Sequence, residues 1–441
     1  MNFKFTFPPM QEKVLENGLR VIFVPDRTRD GVVVAFQTPV GRYSDPLGLE
    51  GVTDIAAGLI MKGSAAVSSE KFSDEFEYRG ASVAANVGEE HTVFVCRMLS
   101  RFLYDLFPLF WDALSNPALN EKEFGRLKKE ALTALQAEMV DPSFLANRHF
   151  YSQLAGKEHP AGRFHGESSI KNLSVQDLRN YYSNNFSPNG ALLVIGGNFD
   201  PEQFDQKFSS LLSTWSAVRK TEPVTAPAVE TVEPALRFID KKDLSQTTIM
   251  MGHAFPGENS PHRSALAVAN YILGAGNFSS RLMTRIRSKH GQTYGIASQV
   301  SSDHVFGAFY ITTSTQNSSV EEVVKSVMEE YGEFCSSGVT AEELEKARAF
   351  ATGNLSFQLE GINNIVDKLL WLRLYGLENS YIENYRERIN SLELDYINKV
   401  IKEFFNPGLP VLVCVGKKGE VLEKVSRLGY TVKQYSYREK I

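Results

Sequence analysis

Apolar positions in this chain follow two rhythms, and the pair of rhythms comes round twice. In LENGLRVIFVPD an alternating run broken by Asn17-Gly18 predicts a hairpin. VVVAFQTPVG from Val32 predicts a strand, and ASVAANVGEEHTVFVCRML predicts a strand pair turned at Val87 to Glu90. Helical spacing then takes over, with helices predicted over 48–62 and 121–140. IKNLSVQDLRNYYSNNF, from Ile170 to Phe186, reads as an amphipathic helix capped by Ser174, followed by Pro188 and the buried-type strand ALLVIGG.

The second pass starts at TTIMMGHAFPG from Thr247, at an offset of 215 from the first strand of this kind. QTYGIASQVSSDHVFGAFYITTST repeats the hairpin, and helices are predicted over 319–336 and 341–359, the latter opened by a capping box of Thr340 and Glu343. INSLELDYINKVIKEFF, from Ile389 to Phe405, parallels the Ile170 segment at an offset of 219, with Ser391 as its expected cap, then Pro407 and the strand PVLVCVG. The chain thus reads as two copies of one unit. In each copy strands come first and long helices follow, which favours an α+β fold over a parallel sheet with alternating helices. Between the copies, residues 216–235 (SAVRKTEPVTAPAVETVEPA) lack periodicity and are stiffened by Pro223, Pro227 and Pro234. They are expected to link an N-terminal domain, 1–215, to a C-terminal domain, 236–441.

Composition narrows the function classes. With 441 residues, 43% hydrophobic and 22% charged, the chain reads as a globular protein of more than one domain. A net charge of -5 gives no electrostatic footprint for nucleic acid, and no basic amphipathic run or long apolar run points to a membrane. The opening MNFKFTFPPM has no apolar signal core, so a cytoplasmic location is expected, or a periplasmic one if a signal peptide has been removed. Cys96, Cys335 and Cys414 are widely spaced and read as small core residues rather than a disulfide or thiolate metal framework.

The chemistry-bearing stretch is GVTDIAAGLIMKGS, from Gly51 to Ser64. In an inverted zinc motif, H-x-x-E-H, two His on one helix face hold the metal and the Glu activates water. The corresponding positions here are Asp54, Ala57 and Gly58, a carboxylate, a methyl group and a hydrogen atom, which cannot supply a zinc shell. Asp54 could keep a structural hydrogen bond. No two of the eight His are four residues apart, and neither the His159–His165 loop nor the Gly88–His91 turn has ligand spacing. G-x-S-x-G and Walker-type patterns are also missing from the sequence.

The frame around these positions resembles that of the pitrilysin/insulinase zinc peptidases, which carry G-L-A-H-F-L-E-H-M-L-F-K-G-T after a loop of the type G-S-R-x-E-x-P. The match runs through Gly41, Arg42, Pro46, Gly51, Leu59, Lys62, Gly63 and Ser64. The third ligand of such enzymes is a Glu on a later helix; its window here, Thr133 to Leu135, holds no acid, and Glu130 and Glu138 flank it out of register. The resemblance implies paired αβ-roll domains forming half of a clam shell.

LGAGNFSSRLMTRIRSKHGQTYGIAS, from Leu273 to Ser298, resembles the family segment in which an Arg and a Tyr seven residues apart reach a zinc site; here they are Arg287 and Tyr294. Locally, Ser279 or Ser280 is expected to cap a helix that ends in Arg285, Arg287, Lys289 and His290, with Gly291 beyond it. Gly274 and Gly276 belong to a short loop that, by resemblance, touches substrate. In heterodimeric members the subunit bearing such a pair lacks zinc ligands and works with an H-x-x-E-H subunit. The resemblance therefore implies a non-catalytic, substrate-binding subunit of a zinc endopeptidase. It holds no cofactor itself, and zinc is expected in a homologous partner and peptides as substrates. The alternative is a pseudopeptidase scaffold or peptide-binding protein with no part in catalysis. Nothing in the sequence supports a hydrolase acting alone.

Overall fold

A computed structural model describes residues 5–216, 220–225, 234–289, 293, 295–405 and 408–439. The first half runs β1 (Gln11–Val14), β2 (Arg20–Pro25), β3 (Val32–Thr38), α1 (Val52–Ile60), α2 (Ser69–Glu77), β4 (Ser82–Val87), β5 (Thr92–Met98), α3 (Leu103–Ser115), α4 (Glu121–Glu138), α5 (Pro142–Ala155), α6 (Glu167–Asn172), α7 (Val175–Asn185), β6 (Leu192–Gly197) and α8 (Pro201–Ser213). The second runs β7 (Ala235–Asp240), β8 (Gln246–Ala254), α9 (Arg263–Asn270), β9 (Ile296–Ser302), β10 (Gly307–Gln316), α10 (Val320–Ser337), α11 (Ala341–Gln358), α12 (Gly361–Leu374), α13 (Ser380–Glu383), α14 (Tyr385–Asn390), α15 (Leu394–Phe404), β11 (Val411–Gly416), α16 (Lys418–Ser426) and β12 (Thr431–Ser436). The hairpins, the four long helices and the buried strands expected from the sequence are present, and the class is α+β.

Each half forms a mixed six-stranded sheet, ordered β1-β2-β6-β3-β5-β4 and β12-β7-β11-β8-β10-β9. The two orders superpose strand for strand apart from one edge. In the first sheet that edge is β1, antiparallel to β2, and in the second it is β12, parallel to β7.

The compact units are not contiguous in sequence. Unit 1 comprises Met1–Leu135, His165–Val224 and Ser356–Glu383, and unit 2 comprises Gln136–Phe164, Thr225–Leu355 and Asn384–Ile441. A single cut at 216–235 therefore does not describe them, because α12 lies in unit 1, on β6 and β3, and α5 lies in unit 2, on β11 and β8. The exchange explains the strand composition. Phe36 of β3 meets Trp111 of α3 on one face of the first sheet, while Gly196 of β6 lies under Ile362 and Val366 of α12 on the other. With both faces covered, the central runs VVVAF, LLVI and VLVCV are apolar throughout instead of alternating, and β3, β6 and β11 are buried along their whole length.

Each core is built on aromatic contacts. In unit 1, Phe107 packs edge-on against Phe204 with ring centroids 4.8 Å apart. In unit 2, Phe405 sits 5.1 Å from Phe309 and 5.4 Å from Phe334, among Val320, Val323, Val324 and Val327 of α10. The three cysteines are buried, and burial pushes the Cys335 and Cys414 thiols up to about 12. They are inert core side chains. No helix among the described residues is long and apolar enough to cross a membrane.

Candidate functional site

Helix α1 carries the degenerate motif, and its start is fixed by a residue the sequence reading passed over. Gly51, at φ 97, is the N-cap position and has no side chain to offer. The cap comes instead from Asp45, whose carboxylate accepts from the Gly51 amide at 2.6 Å and the Thr53 amide at 3.1 Å. The Thr53 hydroxyl also bonds to Asp45 and lies 2.6 Å from the Tyr181 hydroxyl. Burial pushes the Asp45 carboxyl up to about 7, outweighing the hydrogen bonds that favour its ionised form. An Asp-Pro pair just ahead of the helix predicted over 48–62 was the available signal.

The three positions set against the zinc motif, Asp54, Ala57 and Gly58, are each taken up by contacts within the fold. Asp54 is clasped by Arg42, with Nε to Oδ2 at 3.0 Å and Nη2 to Oδ1 at 2.9 Å. Arg42 also reaches Glu89 at 3.2 Å. Burial works against the Arg42 charge, but the two carboxylates hold it well above the usual guanidinium range, while burial raises Glu89. Ala57 is fully buried. Beside Gly58, the methyl carbons of Leu127 on α4 stand 3.6 and 3.7 Å from where a Cβ would be. In the window expected for a third ligand, the Thr133 hydroxyl bonds back to the Lys129 carbonyl and Leu135 is buried, while Glu130 pairs with Arg126. Among the described residues no group of three or more His, Cys, Asp or Glu is placed to hold a metal.

The frame itself is kept for folding reasons. At Gly63, with φ 101, a Cβ would come within 2.4 Å of the Val67 carbonyl oxygen, and Ser64 Oγ accepts from the Val67 amide at 3.1 Å. Such positions specify a backbone, so they persist whether or not a metal is bound.

In unit 2 the Leu273–Ser298 segment leaves α9 through a π-helical stretch, Tyr271–Ala275, and re-enters helix in a second one, Met283–Lys289. Ser280 is the cap, accepting from the Met283 amide at 3.4 Å. Of its basic residues, Arg281 is paired with Glu343, and Arg285 with Glu329, Glu330 and Glu333. Arg287 has no carboxylate partner among the described residues and lies over the ring of the exposed Phe278, 4.9 Å from its centroid. Tyr294, His290 and Gly291 lie outside the described residues. The residues flanking Tyr294 are held firmly: Thr293 Oγ1 donates to the Gly295 carbonyl at 3.0 Å and lies 2.8 Å from Thr313 Oγ1.

Gly274 is close-packed, since a Cβ there would come 2.4 Å from Ser298 Oγ. It also lines a cavity of about 530 Å³ between this loop, the N-terminal end of α5 and strands β8, β9 and β10. Gly276 does not line it; a Cβ there would press on the Tyr271 carbonyl oxygen at 2.7 Å.

Two family models match this chain in succession. Residues 20–158 match the model of insulinase, peptidase family M16, and residues 172–350 match the M16 inactive domain. The chain belongs to peptidase family M16. Relatives in the M16 family include an "Uncharacterized zinc protease" of Rickettsia bellii, 25% identical over 79% of this chain and 83% of the relative. They also include the "Non-peptidase homolog YmxG" of Helicobacter pylori, 24% identical over 80% of this chain and 81% of the relative. Among solved structures, an M16 inactive domain from Pseudomonas fluorescens matches with TM-score 0.85 and 21% identity over 93% of this chain and 98% of its own. A protease from H. pylori matches with TM-score 0.81 and 17% identity over 93% of this chain and 100% of its own. A relative named as a zinc protease and one named as a non-peptidase homolog lie at nearly equal identity, so overall similarity does not separate the two kinds. The match of residues 172–350 to the M16 inactive domain is consistent with a non-catalytic homologue.

Proposed function

We propose that this chain is the non-catalytic, substrate-binding subunit of a heterodimeric zinc endopeptidase, working with an H-x-x-E-H-bearing M16 homologue that holds the metal. The observation that carries this reading is the filled motif: Asp54 is committed to Arg42, Ala57 is core, and Gly58 lies against Leu127. A chain so built has no means of activating water, yet it keeps Arg287 apart from the ion pairs that absorb Arg281 and Arg285.

In the assembled enzyme the Tyr294 phenol donates a hydrogen bond to the oxyanion that develops as the peptide carbonyl is attacked, and the Arg287 fork holds a substrate carbonyl in register. The Arg287 guanidinium lies over the Phe278 ring, 4.9 Å from its centroid. The test is reconstitution. The purified chain is expected to bind no stoichiometric zinc and to cleave no peptide, and mixing it with the zinc-bearing homologue is expected to restore cleavage. Cleavage by the purified chain alone would overturn the reading.

A second reading, a peptide-binding scaffold without any part in catalysis, draws support from the cavity beside Gly274, which can seat a ligand without transforming it. Under it, a complex with the homologue cleaves equally well whether Arg287 is present or replaced by Ala.

A further inference from the structure

The cavity beside Gly274 has a counterpart in unit 1, and the two differ in charge. Register fixes the correspondence: Thr248 of β8 pairs with Ser314 of β10, as Val33 of β3 pairs with Arg97 of β5. Each cavity also takes in the first turn of the exchanged helix, at Ser143 of α5 and at Gly361–Asn364 of α12. The unit 1 cavity, about 290 Å³, is lined by the charged Asp26, Arg29, Arg97 and Glu360. The unit 2 cavity, about 530 Å³, has no charged residue among the described residues that line it. Its lining includes hydroxyl and amide side chains from three strands, together with Ala275 and Met283. Thr248 and Ser314 hydroxyls lie 3.2 Å apart, whereas the side chains of Gln246 and Thr312 make no hydrogen bond with another described residue.

We propose that this cavity is a seat for the uncharged, hydrogen-bonding stretch of an extended peptide, in which Ser, Thr, Asn, Gln and Gly stand in place of Lys, Arg, Asp and Glu. The proposal rests on reading the chain as a peptide-binding subunit and adds the substrate class. The volume falls within the range of ligand sites, roughly 300–1,000 Å³, and suits a few residues of an extended chain. Gln246 and Thr312 offer both donors and acceptors, so a main-chain amide or a neutral polar side chain replaces the water it displaces. A charged side chain entering the same space gives up its hydration and meets no opposite charge, a net loss. The selectivity comes as much from what the lining lacks as from what it offers.

The test uses the chain by itself and fluorescence anisotropy. The probe is a labelled Gly-Ser-Gln-Thr-Asn-Gln-Ser-Gly peptide, compared with versions carrying Lys or Glu at the three central positions. The neutral peptide is expected to bind at least about tenfold more tightly than either charged one, a difference of about 1.4 kcal/mol. Thr312→Lys is expected to lose the neutral peptide and gain the Glu version. Gln246→Glu is expected to lose the neutral peptide and gain the Lys version, and each variant's thermal melt is compared with that of the parent. Because the two substitutions sit on different strands, failure of one to fold leaves the other as the test. Equal binding of all three peptides, or neutral binding indifferent to both variants, overturns the seat. So does displacement of the peptide by a neutral oligosaccharide at equal concentration. Reconstitution of cleavage is read separately, so absent cleavage with selective binding removes the heterodimer reading alone, and restored cleavage with unselective binding removes the seat alone.

Discussion

The first half commits its motif helix to an ion pair and a hydrocarbon contact, and the second has, among its described residues, an arginine outside the ion-pair network and a cavity without a charged lining residue. The backbones run strand for strand alike, so the contrast lives in side chains. Asp45-Pro46 at the start of α1 stands where Ser260-Pro261 stands before α9, a carboxylate against a hydroxyl that accepts from the His262 amide at 3.2 Å. Arg97 stands where Ser314 stands. The two units share the strand order that holds each sheet together and differ in the chemistry they carry.

The strongest way to break the comparison is at Phe94 of β5 and Phe309 of β10, core phenylalanines on corresponding strands and both fully buried. Replacing either by Ala is expected to cost about 3–5 kcal/mol. All three tryptophans, Trp111, Trp215 and Trp371, belong to unit 1. Because each unit contains a helix from the other half of the chain, Phe309→Ala is expected to shift the tryptophan-detected urea transition as well as the circular dichroism; an unmoved tryptophan signal would show independent units. Next in size is Tyr294→Phe in the reconstituted enzyme, expected to cost about 3 kcal/mol of transition-state stabilisation in kcat/KM. Near-normal turnover would return Tyr294 to a structural role.

A pH titration sharpens the contrast between Asp45 and Ser260. The folded Asp45 carboxyl is raised from 3.8 to about 7, so between those values the folded chain keeps a proton that the unfolded chain has released. Stability from this group therefore falls as pH rises through that window, by on the order of 1 kcal/mol per pH unit, and is level outside it. Asp45→Asn is expected to flatten that part of the profile in urea titrations at several pH values, and an unchanged slope would place its origin elsewhere. The smallest expected effect is at Gly58. A Cβ there meets Leu127 at ordinary contact distance inside a helix, so Gly58→Ala is expected to gain about 0.5–1 kcal/mol in thermal unfolding. Destabilisation would mean that the old ligand position is more tightly closed than its geometry indicates.

Much of this was legible in the sequence, and the failures are instructive. Ser174 caps α7 through the Asp177 amide, as its pattern indicates. Ser391 does not cap α15: it closes α14, and Glu393 holds the N-cap position without a side-chain bond. The offset of 219 itself leads from Ser174 to Glu393, so the repeat was the better guide than the residue type. The helix expected after Ser279 or Ser280 begins at the second of these but winds as a π-helix, because apolar spacing over so few residues does not distinguish the two pitches. The exchange of α5 and α12 was invisible for a different reason: an amphipathic pattern states that a face is covered, not which sheet covers it. Asp45 escaped notice because it caps from a distance, and the hydroxyl lining of the unit 2 cavity because Thr and Ser in strands ordinarily signal only a polar face.

The swapped helices decide how this protein can be taken apart. Scission in the proline-rich stretch, where any dissection would naturally begin, yields an amino-terminal fragment missing the cover over Gly196 and a carboxy-terminal fragment missing the cover over Met250 and Val413. Each piece would present a broad greasy surface to water and aggregate, so the two must be produced together, or each grafted with the other's helix, before either behaves as a domain.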